Sequence, residues 1–160
     1  MKKVNIFAVI LSVAICATSL TACSFKSNTP PQKEAFTSAA ETQKLTVNDG
    51  IQLAGSKNLK ATISAENADD SFVALYVQAA DAADALTVYE NQVTTCLSCT
   101  GMSKPSKNTE TDKLKTSQMV SDKGYAYVCQ NNDTVIVVLT KPQYQAAATT
   151  MLKTLKCENF

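Results

Sequence analysis

Residues Leu114–Thr140 read LKTSQMVSDKGYAYVCQNNDTVIVVLT. Three runs able to form strands are split by Asp122-Lys123-Gly124 and by Asn131-Asn132-Asp133. Gly, Asn and Asp tolerate the positive φ that tight hairpin turns require. The segment therefore predicts a three-stranded antiparallel meander over Leu114–Ser121, Tyr125–Gln130 and Thr134–Thr140. Val135–Leu139 (VIVVL) is apolar without a break, which places the third strand in the middle of a sheet. Tyr125, Tyr127 and Cys129 alternate onto one face, and that stripe reads as the core side rather than as an exposed binding surface.

Downstream, Pro142 suits the first turn of a helix. The helix expected over Gln143–Lys156 turns Tyr144, Ala147, Ala148, Met151, Leu152 and Leu155 inward. Upstream, Thr100–Lys113 has no apolar period and reads as a loop. Before it, Asp81 opens a second helix, with Asp84 three residues on, and Ala82, Leu86, Tyr89, Val93 and Cys96 share its apolar face. Leu59–Ala65 alternates apolar and polar residues, and Ser71–Gln78 (SFVALYVQ) is more uniformly apolar. With Asn67-Ala68-Asp69-Asp70 between them they predict a hairpin. Leu45–Val47 and Ile51–Leu53, split by Asn48-Asp49-Gly50, are weaker strand candidates. The expected fold is α+β: an antiparallel sheet in the order ββαβββα, with two helices packed on one face, spanning residues 44–160.

The N-terminus carries a different kind of signal. Lys2-Lys3 precede an apolar run, Val4–Ala17, and then Leu20-Thr21-Ala22-Cys23. The run is shorter than the roughly 20 residues of a membrane-spanning helix. Residues 1–23 resemble the signal peptide and lipobox of bacterial lipoprotein precursors, with Ala22 and Cys23 flanking the cut. The resemblance implies cleavage of residues 1–22, lipid on Cys23, and a protein held to a membrane outside the cytoplasm. That means the outer membrane if the cell has two, since Ser24 is not the Asp of inner-membrane retention, and otherwise the outer face of the cell membrane. The alternative is an ordinary secretory peptide that leaves Cys23 as a thiol. Residues 23–43, with Pro30-Pro31 and only two Phe, read as a flexible tether of about 25 Å root-mean-square reach; a short exposed helix around Glu34–Gln43 is the other reading. The order of elements in the mature domain also resembles small envelope lipoprotein domains, which implies no particular activity.

Composition narrows the functional classes. The chain has 15 Lys plus Arg, 14 Asp plus Glu and no His, and every basic residue is Lys. Removing Lys2 and Lys3 leaves 13 against 14, net −1. A near-neutral chain without Arg carries no footprint for nucleic acid. Neither Ser-x-x-Lys nor Gly-x-Ser-x-Gly occurs. Asp69/Asp70 and Asp81/Asp84 are read as turn and helix-cap residues. Lys104, Lys107, Lys113, Lys115 and Lys123 read as a solvated face. No catalytic residue, metal site or cofactor is expected.

Beyond the anchor, Cys96, Cys99, Cys129 and Cys157 remain. In an oxidising compartment they read as two disulfides, with Cys157 bridging into the sheet or the Cys96 region. Cys96-Leu97-Ser98-Cys99 also has the spacing of a thiol–disulfide exchange pair. Such pairs sit at a helix N-terminus, where the dipole favours thiolate, whereas this one is expected at a C-terminus. A cysteine-only zinc site would need a second C-x-x-C, and haem attachment a His where Thr100 stands. The functional expectation is a lipid-anchored, non-enzymatic binding or envelope-assembly module, meeting the membrane through Cys23 and an envelope protein or small ligand elsewhere. The alternative is a redox protein using Cys96 and Cys99.

Overall fold

The computed structural model describes residues 29–157, apart from 54, 55 and 57. The segment expected to be a signal peptide, the cleavage expected between Ala22 and Cys23 and the lipidation expected at Cys23 lie outside the described residues.

The meander is present: β5 (Leu114–Val120), β6 (Tyr125–Asn131) and β7 (Thr134–Thr140) pair in sequence, antiparallel. Its two turns use different chemistry. Asn132 adopts the left-handed conformation (φ 53°) in the β6–β7 turn. The β5–β6 turn instead depends on Ser121, whose hydroxyl accepts the amides of Lys123 and Gly124 and whose own amide donates to the Gly124 carbonyl. A side-chain clasp of this kind lets the turn close without a positive φ.

The hairpin expected upstream is β2 (Leu59–Glu66) and β3 (Phe72–Ala79), joined through Asn67–Asp70. Its turn is held by the Asn67 carboxamide oxygen, which accepts from the Phe72 amide at 2.9 Å. β1 (Thr46–Asp49) adds to β2. Ile51–Leu53, expected as a strand, is not one. It runs back over β2, where the Ile51 carbonyl accepts from the Thr62 hydroxyl at 2.6 Å. Between the hairpin and the meander lies α2 (Ala82–Thr100), opened by the Asp81 carboxylate accepting from the Ala83 and Asp84 amides. After β7, a short 3-10 turn at Pro142–Tyr144 leads into α3 (Gln145–Thr154). β4 (Lys107–Glu110) was not expected within the anticipated loop; α1 (Lys33–Thr42) falls where a tether was expected and matches the alternative of a short helix near Glu34–Gln43, though not the exposure expected of it.

The result is an α+β fold: a seven-stranded antiparallel sheet ordered β1-β2-β3-β7-β6-β5-β4, with three α-helices among the described residues. β7 is the middle strand, as VIVVL implies. The element order is αβββαββββα, not ββαβββα.

The placement of helices on one face is also corrected. Leu75, Val77, Ala126, Val128, Val135 and Val137 pack with Ala85, Val88 and Cys96 of α2. Their neighbours in sequence, Ala74, Tyr76, Tyr127, Cys129, Ile136 and Val138, pack with Phe36 of α1 and with Ala148, Met151 and Leu152 of α3. The central strands are apolar on both sides, so both faces must be covered. α2 covers one, and α1 with α3 covers the other.

The tether reading fails for residues 33–42 for the same reason. Phe36 is 0% exposed, and Ala39 and Ala40 are buried beside it. The Phe36 ring lies 5.8 Å from that of Tyr76. α1 is part of the core, so the domain begins well before Lys44.

Candidate functional site

The four cysteines divide between the two layers. Cys96, in the last turns of α2, is buried against the sheet, while Cys99, one turn on, is exposed. Cys129 on β6 and Cys157 just after α3 are buried on the other side. Among the described residues, no disulfide joins any two of these four, where two bridges were expected. Of the two partners expected for Cys157, Cys96 packs on the opposite face of the sheet, and Cys129 on β6 packs on the same face as Cys157.

The Cys96–Cys99 pair has the wrong polarity for exchange chemistry. Burial, and then the neighbouring Cys99, push the Cys96 thiol up to about 12. It lies at the carbonyl end of a 19-residue helix, where the dipole further opposes a thiolate. The Thr100 hydroxyl donates to the Cys96 carbonyl at 2.7 Å, and Gly101 closes the helix at φ 68°. The first cysteine is thus a packing residue, and only the second reaches solvent.

Cys99 borders a cleft of about 160 Å³ at that end of the sheet, with Asp70, Ser71, Lys123, Gly124, Leu139, Thr140 and Lys141. Its floor is rigid. The Ser121 hydroxyl donates to the Thr100 carbonyl at 2.9 Å and ties the β5–β6 turn to α2. The Lys141 amide donates to the Ser71 carbonyl at 2.8 Å and ties the end of β7 to the start of β3. A Cβ at Gly101 would come within 2.9 Å of the Lys123 Nζ. Lys123 therefore lies across the end of α2, where a cation complements the helix carbonyls. Nearby, the Ser71 hydroxyl donates to the Asp69 carboxylate at 2.6 Å and holds it below the usual carboxylate range, with desolvation opposing and Lys141 assisting. Two lysines, the Asp70 carboxylate and a thiol around a small open cleft can receive a small polar group. Sequence reading singled out Cys99 and Lys123 but not Lys141, Ser71 or their meeting. Nothing in sequence spacing joins residues that a shared sheet end brings together.

A larger cleft, about 520 Å³, opens at the opposite end between α1, β2 and the segment after β1. Lys33 donates to Asp49 at 2.6 Å across it. Lys60 donates to the Ala80 carbonyl at 2.9 Å and sits 3.8 Å from Asp133. Its charges are thus largely engaged with one another. Of the other lysines expected on a solvated face, Lys115 pairs with Glu110 at 2.8 Å, and Lys104, Lys107 and Lys113 are exposed.

Among the described residues, no three of His, Cys, Asp and Glu converge as metal ligands. No helix among them is long and apolar enough to cross a membrane. Tyr125, Tyr127 and Cys129 are buried, so the tyrosine stripe is core.

No protein-family model and no curated protein matches the chain. Among solved structures, it is similar to the crystal structure of a GTP binding regulator from Thermotoga maritima. The TM-score is 0.50 at 9% sequence identity, over 81% of this chain and 93% of that one. At that identity the likeness concerns the fold alone.

Proposed function

We propose that this chain is a lipid-anchored extracytoplasmic binding or envelope-assembly module, attached through Cys23, that works without catalysing a reaction. The single observation that carries the reading is the order Lys2-Lys3, Val4–Ala17 and Leu20-Thr21-Ala22-Cys23 at the head of the chain. A charged start, a short apolar run and a cysteine after a small residue form the pattern on which lipid transfer and cleavage act. Stable attachment needs more than one acyl chain, which lipidation at a cleaved Cys supplies. The partners are the membrane, through that lipid, and an envelope protein or small ligand at the folded domain. The small cleft beside Cys99, open and flanked by Lys123 and Lys141, suits a binding surface better than a reaction centre. The neutral, buried Cys96 thiol weighs against the redox alternative.

The deciding experiment expresses the full chain and its Cys23→Ser variant with an alkyne-bearing fatty acid. The wild type should incorporate the label and sediment with membranes. The variant should incorporate none and should be released or held as precursor. Membrane retention of a normally processed, unlabelled variant would overturn the reading.

A further inference from the structure

The first described residues are fixed to one end of the sheet. The Asn131 side-chain amide donates to the Thr29 carbonyl at 3.4 Å. One turn into α1, Lys33 is paired with Asp49. Burial raises the pKa of Tyr76, the Thr134 side chain opposes the rise, and the charges of Asp133 and Glu34 add to it, which sets both within electrostatic reach of its hydroxyl. The start of α1, the end of β1 and the β6–β7 turn therefore share one end. The Asn132 amide donates to the Lys113 carbonyl, which places the turn before β5 at that end too. Cys99, Lys123 and Lys141 lie at the other end, separated by the length of the strands. Seven-residue β5 spans roughly 23 Å.

Cys23 precedes Thr29 by only six residues. Fully extended, six residues reach about 20 Å. A tether running to Gln43 would have let the domain turn freely, but α1 takes most of that length into the core.

We infer that the end of the domain bearing Asn131 and Lys113 faces a phospholipid bilayer at close range, and that the Cys99–Lys123–Lys141 end is presented away from it. The inference rests on the proposed lipid on Cys23. The orientation follows from where the chain leaves the domain. It needs no extended basic surface: at the near end Lys33 and Lys60 are engaged with Asp49 and Asp133, which leaves the exposed Lys113.

The test uses the lipidated full chain in vesicles of phosphatidylethanolamine and phosphatidylglycerol doped with a nickel-chelating headgroup lipid. One nitroxide probe goes on native Cys99, whose thiol is exposed while those of Cys96, Cys129 and Cys157 are buried. A second goes on Lys113→Cys in a Cys99→Ser background. Vesicle flotation is scored in parallel. Severalfold stronger relaxation by headgroup nickel at position 113 than at position 99 is expected. Inserting a long Gly/Ser segment between residues 28 and 29 should abolish the difference. Equal or reversed relaxation in protein that floats would overturn the orientation and leave the anchor standing. Protein that does not float would overturn both.

Discussion

The Tyr127 hydroxyl donates a 2.7 Å hydrogen bond to the backbone carbonyl of Cys157. Tyr127 lies on β6 and Cys157 just beyond α3, and both are almost fully buried. The contact fixes the end of the last helix against the sheet where apolar packing alone would leave its register free. Removing the hydroxyl deprives a buried carbonyl of this donor, a loss of about 1–3 kcal/mol. Tyr127→Phe should therefore lower unfolding free energy by that amount while leaving the far-ultraviolet circular dichroism intact. Urea denaturation checks it, and an unchanged midpoint would show that the bond contributes nothing.

Burial also makes stability depend on alkaline pH. The Cys96 thiol rises from 9.0 to about 12 on folding, through desolvation first and Cys99 second. A folded-state value above the unfolded one stabilises fully below about pH 9 and is lost as pH climbs toward 12. Tyr127, Tyr76 and Tyr89 shift in the same direction, mainly through burial, from a starting value of 10.0. Between pH 9 and 10, Cys96 should be the largest single contributor to the decline, with a limiting slope of roughly 1.4 kcal/mol per pH unit, and the three tyrosines together should add a comparable share. Urea unfolding from pH 7 to 10.5 should show Cys96→Ala losing much of that slope, apart from any constant offset. A variant that declines as steeply as the wild type over this unit would refute the assignment.

Much of the sheet was legible because its strands carry hydrophobic period or turn chemistry. VIVVL at 135–139 announced the middle strand, and Asp81 announced the start of α2. β4 was not legible. Lys-Asn-Thr-Glu at an edge is mostly exposed and has no apolar alternation, and backbone pairing with β5 alone defines it. The two-sided burial was written in the sequence but not followed through. An unbroken apolar strand needs cover on both faces, and two helices on one face could not give it. The meeting of Cys99, Lys123 and Lys141 was not legible, since three separate elements bring it about. The disulfide expectation rested on compartment and count. Neither carries information about which side of a sheet each cysteine takes.

α1 is the element whose sequence misled most, and it gives the sharpest test. Lys33–Thr42 is polar on average, with Lys, Glu, Thr and Ser outnumbering its single Phe. A composition of that kind reads as unable to order itself. The structure resolves the conflict by concentrating the apolar contact: Phe36, Ala39 and Ala40 fall on one side of the helix, and the small alanines let Phe36 approach closely. Phe36 then fills space between Tyr76 of the sheet and the helix layer that includes Met151 and Leu152. Deleting a fully buried ring leaves a cavity and forfeits its transfer energy, together about 3–5 kcal/mol. If residues 33–42 were a tether, the same substitution would change stability by no more than about 0.5 kcal/mol, as surface changes do. Phe36→Ala, measured by urea unfolding of the chain without residues 1–22, separates these outcomes. A large loss is expected, with amide protection falling first in α1 and along β1. The neighbouring position supplies the control: Ala35 is exposed, so Ala35→Ser should be nearly neutral, because its side chain meets solvent. Near-neutral effects at both positions would return α1 to the tether, lengthen the leash between the proposed lipid and the domain, and remove the basis for the orientation inferred at the membrane.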